Sequence, residues 1–107
     1  MNIQHQRIAI AEACGWTPYK MENSQIRYWR PPQGEQWSHQ VHQLPDYLND
    51  LNAMHEAEKL LTGAELTIYR DRLLDIIITQ DWQNVPITAK ASQRAEAFLR
   101  TLDLWID

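Results

Sequence analysis

The spacing of apolar residues predicts a helix at the start of the chain. Ile3, Ile10 and Cys14 fall on one side of such a helix, at separations of seven and four residues. Gly15 then supplies a helix stop. The pattern therefore predicts a helix from Ile3 to Cys14, with Arg7 inside its apolar side.

Residues 25–30 alternate apolar and polar side chains with the period of a β-strand. Ile26 and Tyr28 alternate with Arg27 and Trp29. Because successive side chains of a strand point to opposite faces, one of these pairs faces the core. We expect the first pair to face the helices and the second pair to face outward.

A second strand is predicted for residues 35–43, in which Trp37, His39 and Val41 alternate with polar side chains. Residues 31–34, with the sequence Pro-Pro-Gln-Gly, lie between the two strands and have strong turn-forming chemistry. Together the two stretches predict an antiparallel β-hairpin.

Two helices are predicted in the middle of the chain. The first runs from Asn49 to Leu61, with Asn49 or Asp50 as its N-cap. Residues 62–65, Thr-Gly-Ala-Glu, fit a capping box and start a third helix that runs to about Thr79. The last turn of this helix is β-branched, so it could instead join the sheet. The apolar stripe of the third helix comprises Leu66, Tyr69, Leu73, Ile76 and Ile77.

A fourth helix follows a linker at residues 80–87 and is predicted to start at a Thr88 cap. Its apolar stripe comprises Ala91, Ala95, Phe98, Leu99 and Leu102. These elements predict an α+β fold, in which a small antiparallel β-hairpin or sheet packs against about four α-helices in helix-sheet-helix layers. Residues 1–107 are expected to form a single domain.

Several short motifs resemble a known protein family. They are Arg7-Ile8-Ala9 through Gly15-Trp16, the hairpin residues Trp29, Pro32 and Gly34, Leu44-Pro45-Asp46-Tyr47, Asp50-Leu51-Asn52-Ala53-Met54 and Gln93-Arg94-Ala95-Glu96-Ala97-Phe98-Leu99. Over residues 7–61 and 88–105 the chain resembles a widespread group of small phage and prophage proteins, similar to the phage ABA sandwich domain. The helical pattern at residues 63–80 departs from that domain, in which strands are expected there.

The resemblance implies a helix-sheet-helix domain encoded by a phage or another mobile element. It implies no activity and supplies no catalytic residue. As a class, small accessory phage proteins often bind and inhibit host machinery, including immune systems. We therefore expect a phage or prophage accessory protein whose partner is a host protein or protein complex.

The composition is that of one ordinary folded domain. The 107 residues are 44% hydrophobic and 22% charged, which argues against a disordered or low-complexity chain. The net charge is −4. Residues 1–43 carry four basic and three acidic side chains, whereas residues 44–107 carry six and eleven. This balance disfavours a general nucleic-acid-binding surface.

Cys14 is the one cysteine of the chain, so no internal disulfide forms and a reducing compartment is expected. Its place in the first apolar stripe predicts a buried thiol with a raised pKa. No stretch has the apolar length of a signal peptide or of a membrane span. We expect a protein of the host cell cytoplasm, without membrane contact.

No catalytic motif is recognisable along the chain. His39 and His42 would point to opposite faces of a strand, which argues against paired metal ligands. His55 and Glu58 share a helix face, where we expect Glu58 to take a hydrogen bond from His55 or a salt bridge from Arg7. A metal or a binding partner is the alternative role for this pair. We expect no enzyme, no catalytic residue, no metal site and no cofactor.

Aromatic and basic residues are dense between residues 16 and 37. The outer face of the predicted hairpin would carry arginine and tryptophan, which are enriched in binding hot spots. The candidate partner-binding residues are Arg27, Trp29, Arg30, Ser38, Gln40 and His42. This face could pack against another layer or a symmetric copy in a homodimer, bind a host protein, or bind nucleic acid.

Three functions remain open on this basis. The leading hypothesis is a non-enzymatic protein that binds and inhibits a host protein complex, as an anti-defence or anti-CRISPR type inhibitor. The first alternative is an oligomeric module that sequesters a small nucleotide ligand. The second is a nucleic-acid-binding accessory protein, which the low positive charge makes the least favoured of the three.

Overall fold

Four helices and a two-stranded antiparallel sheet make up the described part of the chain, which confirms the predicted α+β class. The structure is a computed structural model that describes residues 1–20, 26–33, 38–80 and 89–107. The predicted turn glycine Gly34, the strand residue Trp37 and the helix cap Thr88 lie outside the described residues, as does most of the predicted linker.

Helix α1 spans Ile3–Ala13 and begins where the Asn2 side chain accepts a hydrogen bond from the His5 backbone N–H at 2.7 Å. Ile10 is fully buried, whereas Ile3 is exposed at the helix start. The predicted helix is therefore confirmed, but the first position of its apolar stripe does not reach the core.

Gly15 follows this helix with a φ of +100°, in the left-handed region that favours glycine. The chain then enters strand β1, Thr17–Lys20, which pairs antiparallel with strand β2, Arg27–Arg30. In this register Tyr19 lies opposite Tyr28. We call these two strands the ribbon.

The predicted pairing of residues 35–43 with β2 is present at one position of the described residues 38–43, which do not form a continuous strand. Within the described part of that stretch, pairing is limited to one bridge, in which the Trp29 and His39 backbones exchange two hydrogen bonds of 2.8 Å. Residues 41–43 then form a 3₁₀ turn. An alternating pattern fits both outcomes, because an extended segment that makes one bridge alternates its side chains as a strand does.

Strand β1 is the partner of β2 over all four residues of each strand. Threonine and tyrosine, present at Thr17 and Tyr19, have high strand propensity. Pro18 between them cannot donate a backbone hydrogen bond, which is tolerated because each strand of a two-stranded sheet is an edge.

The side-chain orientation predicted for β2 is also wrong. Trp29 is 1% exposed, whereas Ile26, expected to face the helices, is 51% exposed. The Trp29 indole N–H donates to a Glu12 carboxylate oxygen at 3.1 Å, so this large side chain is buried beside α1 with its polar atom satisfied. The alternating pattern does not specify which face of a strand is buried, since a shift of one residue exchanges the two faces. The packing of Trp29 against α1 decides it.

Helix α2 spans Leu51–Glu58 and is shorter than the predicted helix at residues 49–61. The Asp50 side chain caps it by accepting from the Asn52 backbone N–H at 2.9 Å, which confirms one of the two predicted caps. Met54, on the side of α2 that faces the core, is fully buried.

Helix α3 spans Gly63–Gln80, and its predicted capping box is confirmed. The Thr62 backbone N–H donates to Glu65 Oε1 at 2.9 Å, and the Glu65 backbone N–H donates to Thr62 Oγ1 at 3.3 Å. The β-branched end of this helix does not join the sheet, because Ile76 and Ile77 are buried in the core from helical positions.

Helix α4 spans Ala91–Thr101 and lies at the centre of the fold, in contact with α1, α2 and α3. At its start, the Gln93 side-chain oxygen accepts from the Lys90 backbone N–H at 2.9 Å. Four residues of its predicted stripe, Ala91, Ala95, Phe98 and Leu99, are buried, and the fifth, Leu102, is half-buried. None of the described helices combines the length and the apolarity that a bilayer crossing requires.

Candidate functional site

The six residues predicted to form one partner-binding face lie on different surfaces. Trp29 is buried in the core. Arg27 is on the same side of the ribbon, and its guanidinium carbon lies 5.6 Å from the centre of the Trp29 ring. Gln40 joins these two residues in the lining of a shallow cleft of about 270 Å³ beside α1. These three residues therefore share one cleft, in which Trp29 is buried, Gln40 is half-buried and Arg27 is exposed.

The other three predicted residues lie apart from this cleft and from one another. Ser38 is half-buried ahead of the bridge to β2, and His42 is exposed in the 3₁₀ turn. Arg30 lies on the opposite side of the ribbon from Arg27, because the two residues are three positions apart on one strand. The six residues therefore do not share one face, because the described residues 38–43 form one bridge and a 3₁₀ turn where an aligned strand was predicted.

A different aromatic and basic face is present on the ribbon. Tyr19 and Tyr28 are directly opposite each other, and such partners point to the same side of an antiparallel sheet. Arg30 lies on this side too, with its guanidinium carbon 3.9 Å from the centre of the Tyr19 ring. Thr17, opposite Arg30, completes the set. We call Thr17, Tyr19, Tyr28 and Arg30 the outer ribbon face.

Only Arg30 of the outer ribbon face is among the predicted residues. Thr17 and Tyr19 belong to β1, for which no strand was predicted. Their alternation with Pro18 and Lys20 is a signal for a strand, but four residues are too few for the period to identify one.

An aromatic cleft of about 400 Å³ opens where the ribbon meets α2. Trp16, just before β1, and Pro32, just after β2, line it from the ribbon. Tyr47 lines it from the loop before α2, and Glu56 and Leu60 line it from α2 and the turn that follows. Among the described residues that line this cleft, Glu56 is the one that carries a charge.

Two aromatic rings of this cleft are held in place by neighbouring groups. The Trp16 ring meets the His39 ring edge-on, with ring centres 5.3 Å apart. Tyr47 is 4% exposed, and its hydroxyl lies close enough to the Cys14 and Trp16 side chains for both to act on its pKa. Burial, and after it the charge of an ionised Cys14, raises the pKa of Tyr47. The cleft therefore has a preformed wall.

The Cys14 thiol is half-buried beside this cleft. Burial raises its pKa, and the hydrogen bond with Tyr47 offsets part of that rise. The direction agrees with the prediction for this residue. A thiol with a raised pKa is protonated near neutral pH and is a weak nucleophile, which fits packing better than catalysis.

Glu58 is the centre of a polar cluster between α2 and α4. Its Oε1 lies 2.9 Å from His55 Nδ1, and its Oε2 accepts from Arg94 Nη1 at 3.1 Å. The Glu58 and Arg94 side chains are 16% and 12% exposed. Burial, and after it the charge of Glu58, raises the pKa of the nearby Tyr69 hydroxyl. The predicted contact between His55 and Glu58 is confirmed, and the cluster joins two helices of the core.

Arg7, the other predicted partner of Glu58, binds elsewhere. Its guanidinium donates to the backbone carbonyl oxygens of His42, Leu44 and Pro45, which ties α1 to the segment before α2. The cationic partner of Glu58 is Arg94, 36 residues further along the chain. A separation of this size has no helical or strand period, so spacing could not predict the pair.

The described residues contain no group of three or more His, Cys, Asp or Glu side chains placed to hold a metal ion. His39 lies in the bridge to β2 and His42 in the 3₁₀ turn.

No protein-family model matches the sequence, and neither the curated proteins nor the solved structures contain a significant match to it.

Proposed function

We propose that this protein is a non-enzymatic accessory protein of a phage or another mobile element, and that it binds and inhibits a host protein complex in the cytoplasm of the host cell. The motifs that resemble the phage ABA sandwich domain support the phage origin. The observation that supports the binding role is the outer ribbon face, in which Arg30 is stacked over Tyr19.

Stacking restrains the Arg30 side chain before a partner arrives. The guanidinium carbon lies 3.9 Å from the centre of the Tyr19 ring, while the residue stays exposed. A side chain that is already ordered loses less conformational entropy on binding, and a planar guanidinium can hold a carboxylate with two hydrogen bonds. Because arginine and tyrosine are also enriched in hot spots, the face suits a protein partner with an acidic group.

The geometry gives the two alternative functions less support. A base could stack in the aromatic cleft, but the carboxylate of Glu56 in its lining would repel a phosphate. Arg27 and Arg30 lie on opposite sides of the ribbon, whereas a nucleic-acid groove needs its basic residues along one path. A protein partner is therefore favoured over a nucleotide and over nucleic acid.

Affinity capture from the lysate of a defence-bearing bacterial host tests this proposal. The baits are the wild type, Arg30→Glu and the charge-matched control Arg72→Glu, which changes an exposed residue of α3. We expect Arg30→Glu to recover at least about tenfold less partner, because the new carboxylate repels an acidic group. The control is expected to recover as much partner as the wild type.

Equal recovery by all three baits, or no specific partner for any of them, would contradict the proposal. Circular dichroism of each bait checks that the fold is retained. Native mass spectrometry of wild-type protein from the same host distinguishes this proposal from nucleotide sequestration. A bound small molecule would support sequestration instead.

A further inference from the structure

The lining of the aromatic cleft combines apolar surface, aromatic rings and one carboxylate. Trp16 and Tyr47 contribute the rings, and Pro32 and Leu60 contribute apolar surface. Glu56 contributes the carboxylate from the exposed edge, where its side chain is 72% exposed. Aromatic faces attract cations through their negative quadrupole, and a carboxylate supplies the matching charge. This combination fits a cationic head on an apolar stem.

The size of the cleft fits one side chain of a partner. Its volume of about 400 Å³ is near the lower end of the range of roughly 300 to 1,000 Å³ over which pockets enclose small molecules. The Trp16 ring contacts the His39 ring, and Tyr47 is buried in the core. A stem that enters the cleft therefore meets surfaces that do not have to be rearranged.

The charges around the cleft also favour a cation. Glu56 is paired with Lys59, whose Nζ lies 2.8 Å from its Oε1, and both side chains are largely exposed. Exposed pairs of this kind contribute little, so an incoming cation can replace Lys59.

We propose that the aromatic cleft binds an arginine or lysine side chain of a protein partner, with the apolar stem against Trp16 and Leu60 and the cationic head at Glu56. The inference rests on the proposed role in protein binding, but it concerns a second surface. The partner would then present an acidic group to Arg30 and a basic group to Glu56.

Titration of the whole protein with acetyl-arginine amide, followed by NMR, tests the cation site. The matched probe is acetyl-citrulline amide, which has nearly the same shape and no charge. We expect the arginine probe to shift the Trp16 indole N–H signal, assigned with Trp16→Phe. Its dissociation constant is expected to be at least about threefold lower than that of the citrulline probe.

Two variants test the role of Glu56 in opposite directions. Glu56→Gln is expected to weaken binding of the arginine probe at least about threefold and to leave the citrulline probe unchanged. Lys59→Gln is expected to strengthen binding of the arginine probe, because the competing cation is removed. Asp71→Asn removes an exposed carboxylate of α3 and serves as the matched control without effect.

The cation site is overturned if the two probes bind equally, if Glu56→Gln has no effect on the arginine probe, or if neither probe shifts the Trp16 signal. Arg30→Glu is expected to leave probe binding unchanged. If the wild-type protein binds the arginine probe but captures no partner, the cation site is supported and the proposed function fails. The two failures are therefore distinguishable.

Discussion

At the scale of single residues, Gly15 occupies a position that requires glycine. Its φ of +100° is one that other residue types rarely adopt. A Cβ at this position would lie 2.9 Å from the Cβ of Pro32. Glycine therefore ends α1 and also lets the chain after β2 pass close to the chain before β1. The contact helps to set where the aromatic cleft forms.

We expect Gly15→Ala to lower the free energy of unfolding by about 1 to 3 kcal/mol, because it adds backbone strain and a steric clash. Urea unfolding followed by circular dichroism measures the change. Gly63→Ala is the matched control, since a Cβ there meets no described atom within 4 Å. The control is expected to be neutral or to stabilise by up to about 1 kcal/mol. Equal losses in both variants would contradict the explanation.

For Glu58, the sequence predicts that the carboxylate needs a partner but predicts only one of its two partners. A carboxylate on an apolar helix face needs a partner, and that requirement can be inferred from the sequence alone. The contact with His55 is local and follows from helical spacing. The contact with Arg94 joins two different helices, so it becomes visible when α2 and α4 are packed together.

At the scale of elements, the helices were predictable because each carries its own start signals and its own apolar stripe. The Thr62 and Glu65 hydrogen bonds of α3 are the clearest example. The ribbon was not predictable in the same way. A strand needs a partner to form its hydrogen bonds, and β2 had two candidate partners, β1 and residues 35–43.

We expect Thr62→Ala to destabilise the protein by about 1 kcal/mol, because the Glu65 backbone N–H loses the hydroxyl acceptor at 3.3 Å. Thr67→Ala is the matched control within the same helix. The Thr67 hydroxyl donates to the carbonyl of Gly63, which α3 already engages in a backbone hydrogen bond. Its loss should change stability by less than about 0.5 kcal/mol. Thermal unfolding compares the two, and a larger loss for the control would rule out the cap as the cause.

At the scale of the whole molecule, α4 holds the other helices together. It contacts α1, α2 and α3, and the side chains of Ala95 and Ala97 are fully buried. Small side chains allow the neighbouring helices to approach closely, and a packed interior leaves little room for additional atoms. The stability of the fold should therefore be sensitive to volume along the buried side of α4.

We expect Ala95→Leu to lower the free energy of unfolding by about 1 to 3 kcal/mol through overpacking. Ser92→Leu places the same side chain at an exposed position of α4 and should change stability by less than about 0.5 kcal/mol. Urea unfolding at several temperatures measures both. If Ala95→Leu were as stable as Ser92→Leu, the centre of the fold would be less tightly packed than the structure indicates.

The candidate surfaces also belong to the whole molecule. The aromatic cleft combines Trp16, Pro32, Tyr47 and Leu60, which are far apart in the sequence and share no period. The outer ribbon face requires the register of β1 with β2. Arg30 is the one residue of this face that the sequence predicted as a candidate. Arginine close to aromatic residues is typical of binding hot spots, and this can be read from the sequence without knowing how the strands pair.

The α+β class, the four helices and two of their caps follow from local chemistry, because caps, helix stops and apolar stripes act within one or two turns of the chain. The pairing of β1 with β2, the inward side of Trp29 and the partner Arg94 of Glu58 depend on packing. A period of two specifies that side chains alternate but leaves open which side faces the core. Burial of Trp29 beside α1, with its indole N–H on Glu12, settles that choice.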